Sequence, residues 1–248
     1  VNGYNVVSYL LGRFPITLQL TLFAFFFIIV IGIPLGIVSA IKKDTWVDAL
    51  VRVWALIGVS VPTFWLGYLF LYFFFYVLGW ITIAGIPYPK QVYTGVPIID
   101  AAFSGDWGCV WDNVARFTLP GFTLGFGGIG VIARLVRNSY LEVMASDFIY
   151  YAKLRGLKRL RILTHTLRNA LVPVVTMLGL QFGWLLGGAP ITETVFGIPG
   201  MGRAMVQAIF MMDFPLLIAG TLLIGFIYVT TNLVVDILYA VINPRVRF

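Results

Sequence analysis

The sequence predicts an all-α membrane protein, and three observations carry that prediction. Hydrophobic residues make up 60% of the 248 residues and charged residues only 11%, less than half of the roughly 25% usual in a soluble domain. The charges are gathered between long charge-free runs. Each run is long enough for a helix to cross hydrocarbon, which takes about 20 apolar residues. A helix also satisfies its own backbone polar groups, as lipid requires.

The runs are Phe14 to Ile41, Val53 to Pro89, Phe117 to Ala133, Asn169 to Thr192 and Phe214 to Val235. They place five spans at about 16–41, 51–78, 117–136, 171–192 and 215–241. The third is the shortest, pinned between Arg116 and Arg134. The second is too long to be all helix, and its tail from Gly79 onward has the Gly, Pro and aromatic content of an interfacial loop. Pro34 and Pro62 lie in spans and are expected to kink them, with neighbouring helices satisfying the freed carbonyls. Gly32 and Gly36 in the first span, and Gly179, Gly183 and Gly187 in the fourth, make smooth faces for close helix approach.

Orientation follows from the basic residues. Of the 17 Lys and Arg, all but Arg13, Lys90, Arg116 and Arg203 fall in one set of inter-span segments, which is therefore expected in the cytoplasm. The C-terminus is then inside and Val1 outside, with external loops at 79–115 and 193–214 and a cytoplasmic loop at 137–170. An external start without a signal pattern points to a further span upstream of Val1, six in all. The net charge of +7 belongs to this membrane asymmetry, and nucleic acid is not an expected partner. The lone Cys109 excludes an internal disulfide and a Cys-based metal site.

Several patterns carry no chemistry here. Gly125-Phe126-Gly127-Gly128-Ile129-Gly130 spells a dinucleotide fingerprint, but inside an apolar run it has no strand before it and no acidic residue suitably placed after it. Close helix packing is the better account. No phosphate-binding GxxxxGK[ST] loop occurs, so ATP hydrolysis by this chain is not expected. Intramembrane carboxylates or histidines fit for a proton relay are missing as well. Asp236, four residues after Asn232, reads as a local ion pair or a water-facing helix end rather than a gate. Gln181 is a candidate for the translocation path, with a buried interhelical hydrogen bond as the competing reading. His165 has no histidine partner and is not a metal ligand.

The segment Val136 to Val172 is longer than a helix connection needs. Asp147 suits a helix N-terminus, Phe148, Tyr151, Ala152 and Arg155 recur at helical spacing, and Gly156 suits a stop with positive φ. A second short helix is expected from Leu160, with Leu163 and Leu167 on one face and His165, Arg168 and Asn169 nearby. The outcome is a basic, partly apolar elbow held outside the membrane. Composition alone leaves two other readings open, a positive-inside anchor or a helix lying on anionic lipid.

The residues Asp147, Phe148, Ala152 and Gly156-Leu157, followed by His165-Thr166-Leu167-Arg168-Asn169-Ala170-Leu171-Val172-Pro173, resemble the EAA loop of binding-protein-dependent ABC importer permeases. They are most similar to the branch importing dipeptides, oligopeptides and nickel. Tyr150-Tyr151-Ala152 stands where the general motif has Glu-Ala-Ala. The resemblance runs on through Phe14 to Leu18, Ile33 to Gly36, Ser60 to Gly67, Glu193 to Gly202, Val234 to Asp236 and Asn243 to Arg247.

That resemblance implies a type I ABC importer transmembrane fold, one permease domain over residues 1–248. It implies as partners a homologous second permease, two ATPase subunits that hold ATP and Mg, an external solute-binding protein and membrane lipid, with no cofactor on this chain. The elbow (Asp147, Ala152, Arg155, Gly156, Leu157, His165, Arg168, Asn169, Pro173) is then the ATPase-coupling site, and Glu193, Pro199 and Gly200 a possible docking site for the binding protein. A self-sufficient channel or secondary transporter is the alternative, and would need its own filter or coupling-ion site. Peptides, nickel chelates and oligosaccharides all stay open as cargo.

Overall fold

The computed structural model describes residues 5–80, 85–187 and 189–242. The described residues are helical throughout their regular structure: α1 (Val6–Leu11), α2 (Phe14–Phe27), α3 (Ile33–Ile41), α4 (Trp46–Ser60), α5 (Thr63–Phe70), α6 (Pro97–Phe103), α7 (Trp107–Met144), α8 (Asp147–Leu154), α9 (Arg159–Leu186), α10 (Pro190–Val195), α11 (Met201–Phe210) and α12 (Phe214–Ile242). Segments Val6–Ile41, Trp107–Met144, Arg159–Leu186 and Phe214–Val235 are each long and apolar enough to cross a membrane; Trp46–Ser60 with Thr63–Val77 makes a fifth if the broken pair is one span.

The two expected kinks have different forms. Ahead of Pro34 the chain widens into a π-helical turn, Ile28–Gly32, and resumes as α3. A proline offers no N–H and crowds the preceding turn, and a π-turn relieves both. Pro62 instead stands in a full break, with ψ 130° at the head of α5. It ends α4 rather than bending it.

Helices overrun the charge-free runs on which the spans were drawn. With 38 residues at 1.5 Å each, α7 is about 57 Å long, nearly twice the hydrocarbon thickness. Charged residues at its ends are tolerated because they lie beyond the lipid core. The expected second short helix from Leu160 is corrected for the same reason: it is the first turns of α9, which runs on unbroken through Pro173. The outer loop 193–214 is also largely helical, as α10 and α11.

The described residues divide into two compact units, one drawn from those within 5–26, 61–125 and 182–231, the other from those within 27–60, 126–181 and 232–242. In the first, Ile16, Leu20, Phe117, Leu119, Ala189, Phe196 and Ile198 form the core. A Cβ on Gly121 would lie 2.5 Å from Phe23, and one on Gly125 2.7 Å from the Ala24 carbonyl. In the second, Ala40, Tyr140 and Ala170 centre a core flanked by Met144, Leu163 and Leu167. Here Gly36 lies against Val136, Gly130 against the Ala55 carbonyl, and Gly179 against Val235. The Gly-rich stretch 125–130 is thus mid-helix packing, as its apolar setting indicates.

Candidate functional site

The elbow is built from local rules. Ser146, extended at ψ 151°, precedes α8, and Asp147 takes the first helical position instead of the cap itself. Its charge still complements the positive helix end. At the other end Gly156 has φ +72°, which costs a glycine little. The Gly156 N–H donates to the Lys153 carbonyl at 2.9 Å and the Leu157 N–H to the Ala152 carbonyl at 3.2 Å. These two bonds make a Schellman stop. Only Arg155 to Lys158 separate α8 from α9.

This stop folds α8 over the start of α9 and leaves a hollow of about 480 Å³ lined by Phe148, Tyr151, Ala152, Arg155, Leu157 and His165. Ala152 is buried, whereas Phe148, Tyr151 and Arg155 are exposed. The hollow therefore presents two aromatic rings, a guanidinium and an imidazole to whatever enters it. Four of the expected elbow residues meet there: Ala152, Arg155, Leu157 and His165. Asp147 stands at the far end of α8, and Arg168, Asn169 and Pro173 lie further along α9. Asn169 Nδ2 donates to the His165 carbonyl at 2.9 Å.

On α7, ten residues before Asp147 in the chain, Arg137 belongs to a charge cluster that sequence reasoning missed. Asp48 is 0% exposed. Arg137 clamps it from α7 in a two-pronged contact, Nε to Oδ1 at 2.7 Å and a second guanidinium nitrogen to Oδ2 at 2.8 Å. Ser39 Oγ donates to Oδ1 at 2.6 Å and the Asp44 N–H to Oδ2 at 3.1 Å. The carboxylate is thus saturated by donors from α3, the α3–α4 turn and α7. In the sequence Arg137 reads only as one of the basic residues of the cytoplasmic set; its partner lies 89 residues away, with no local pattern to announce it.

The outer segment differs from expectation at Glu193. The side chain is 0% exposed, so the carboxylate is not presented to a docking protein. It receives Thr17 Oγ1 at 2.6 Å and the Arg203 N–H at 2.8 Å, while the Met201 N–H donates to Thr17 Oγ1 at 2.9 Å. Burial pushes the Glu193 carboxyl above its ordinary value, against the lowering effect of these hydrogen bonds. Gly200 is buried as well, because a Cβ there would lie 2.3 Å from the Glu193 carboxyl carbon. Pro199 is half-buried and its carbonyl accepts from Arg13 at 3.4 Å. Glu193 and Gly200 are the interior of this segment rather than its docking face.

Two further buried polar groups brace the outer segments. Gln19 joins Asn113 (2.9 Å) and the Ile98 N–H (2.9 Å). Asp100 accepts from the Thr94 hydroxyl and N–H, both at 2.7 Å, and from the Gly95 N–H at 2.9 Å. Burial pushes the Asp100 carboxyl up, but these hydrogen bonds outweigh it and hold it below the ordinary carboxylate range. Gln181 is half-buried beside Gly128, where a Cβ would come 3.3 Å from its Oε1, and its side chain makes no hydrogen bond among the described residues. The interhelical bond that competed with its pore-lining reading is not formed there. The side chain of Asp236 and the whole of Asn243 to Arg247 lie outside the described residues.

Residues 32–248 match the family described as the binding-protein-dependent transport system inner membrane component. The chain is 42% identical over 236 residues to the dipeptide transport system permease protein of Alkalihalophilus pseudofirmus, covering 94% of this chain and 71% of that one. It is 40% identical over 241 residues to the di/tripeptide transport system permease protein of Pseudomonas aeruginosa (96% and 72% covered). It is also 40% identical over 242 residues to the dipeptide transport system permease protein of Escherichia coli (95% and 71%). These matches span both the elbow and the outer segment, and the chain belongs to the family of inner membrane permease components of binding-protein-dependent ABC transporters.

Proposed function

We propose that this permease imports short peptides, delivered from outside by a solute-binding protein, and that it does so paired with a homologous second permease. Two ATPase subunits on the cytoplasmic side, which hold ATP and Mg, drive it through the elbow. The reading of the cargo rests on the relatives, which are named for dipeptides and di/tripeptides. The reading of the drive rests on one observation above all: a short helix closed by a Schellman stop at Gly156, with an aromatic and basic hollow open beside it.

The physics of coupling favours such an object. A displacement applied to α8 reaches α9 through four residues, three of which (Arg155, Gly156 and Leu157) donate their N–H groups back to α8 carbonyls, so little of it is lost in linker motion. The surplus of Lys and Arg on this side supports a cytoplasmic C-terminus. Aromatic rings and Arg155 at the hollow suit burial against another protein, where these residue types dominate binding.

A Gly156→Val variant tests the drive. A β-branched residue at φ +72° is strained by roughly 1–2 kcal/mol, enough to shift α8. In reconstituted vesicles holding the complete transporter, peptide uptake should fall at least tenfold while ATP hydrolysis persists. Uptake at the wild-type rate would sink the coupling assignment. Competition of uptake by dipeptides, nickel chelates and oligosaccharides tests the cargo, with only peptides expected to compete.

A further inference from the structure

Where α3, α7 and α9 end on one side of the second unit, they enclose a hollow of about 460 Å³, within the 300–1,000 Å³ usual for ligand sites. Ile41, Leu141, Met144 and Leu163 give it an apolar wall, and Lys43 and Arg159 stand at it as the cations. Among the described residues no carboxylate lines it. Arg159 has no acidic partner among the described residues. Lys43 reaches only Asp44, at 3.9 Å, with both side chains more than half exposed, a pairing of little strength.

Tyr140 lines the same hollow. It is 6% exposed, and its hydroxyl has no hydrogen-bond partner among the described residues. Yet among them only the Asn232 carbonyl oxygen is both sealed and unpaired, so the Tyr140 hydroxyl is not sealed, and Tyr140 is a wall residue of this hollow. Water can bond a hydroxyl that is not sealed, but water against an apolar wall leaves the wall uncovered. The first N–H groups of α9 add positive potential at the same place.

The required occupant has an anionic head with acceptor oxygens and an apolar body. We propose that the hollow holds one anionic phospholipid of the surrounding leaflet, its phosphate between Lys43 and Arg159, a headgroup or ester oxygen accepting from Tyr140, and acyl carbons against Leu141, Met144 and Leu163. A free inorganic anion would leave the apolar wall uncovered. A zwitterionic lipid would bring a choline or ammonium toward two cations.

Native mass spectrometry of the purified, delipidated transporter, titrated with phosphatidylglycerol, tests this. The wild type should retain one phosphatidylglycerol that Lys43→Ala/Arg159→Ala binds about thirtyfold more weakly, at roughly one decade and a half for two interfacial cations. Leu163→Trp, which fills the hollow and keeps both charges, should lose that lipid too. Phosphatidylcholine of the same chains should not replace it, nor should inorganic phosphate in millimolar excess. Equal retention by wild type and both variants would overturn the site. Displacement by inorganic phosphate would overturn the lipid in favour of a free anion, and equal binding of phosphatidylcholine would overturn the role of the charges.

Discussion

Single side chains hold the outer segment together, and Glu193 shows how. Its carboxylate takes donors from Thr17 and from the Arg203 backbone, and Thr17 in turn takes the Met201 N–H. Glu193→Ala would strip partners from at least two buried donors, each costing about 1–3 kcal/mol when orphaned. The variant should lose about 3 kcal/mol of stability in detergent melts, whereas Glu193→Gln, which keeps the shape and one acceptor, should lose about half as much. The sequence shows Glu193 inside a Gly- and Pro-rich outer segment, a setting that reads as exposed. What it hides is Thr17, 176 residues away, since a long-range hydrogen bond leaves no periodic trace.

At the scale of elements, the Asp48–Arg137 contact ties the α3–α4 turn to α7 shortly before the elbow begins. Removing one partner leaves a buried charge unsatisfied, at a cost of about 3–5 kcal/mol, while replacing both by apolar groups of similar volume is often nearly neutral. Arg137→Met should therefore destabilise strongly, and Asp48→Leu/Arg137→Met should recover most of the loss. Additive losses in the double variant would refute the account. The elbow itself was largely legible: helical spacing from Phe148 to Arg155 and the glycine at 156 anticipated both α8 and its stop. Leu160 does not open a separate short helix, because charge does not mark the edge of a helix here. Arg159 and Arg161 begin α9 without interrupting it, because the helix starts outside the hydrocarbon and enters it later.

For the molecule as a whole, acidity acts through two outer carboxyls with opposite signs. Asp100 has a folded pKa below its ordinary 3.8. Its contribution is complete above that value and is lost as pH falls through the lower folded one. Glu193 has a folded pKa above its ordinary 4.5, so its contribution is complete below that value and is lost as pH rises through the folded one. Acid melts should show Asp100→Asn losing much of the pH dependence below pH 4, and Glu193→Gln flattening the dependence above pH 5. The membrane class and most spans could be read from charge-free runs, because lipid imposes one crude rule on every span. The division into two units and the buried polar clamps could not, since both depend on which helices meet.

The buried Asp48 carboxylate has one more consequence, for mobile ions. Exposed charges a Debye length apart are screened at physiological ionic strength, where that length is about 8 Å, but a dry pair excludes the ions that would screen it. Arg137 is only 13% exposed against a carboxylate that is wholly covered. The cations of the elbow, Arg155, Lys158 and Arg161, stand in solution. Raising salt should therefore loosen whatever those cations hold while the Asp48–Arg137 clamp stays shut, so that added electrolyte separates attachment to the permease from the permease's own rigidity.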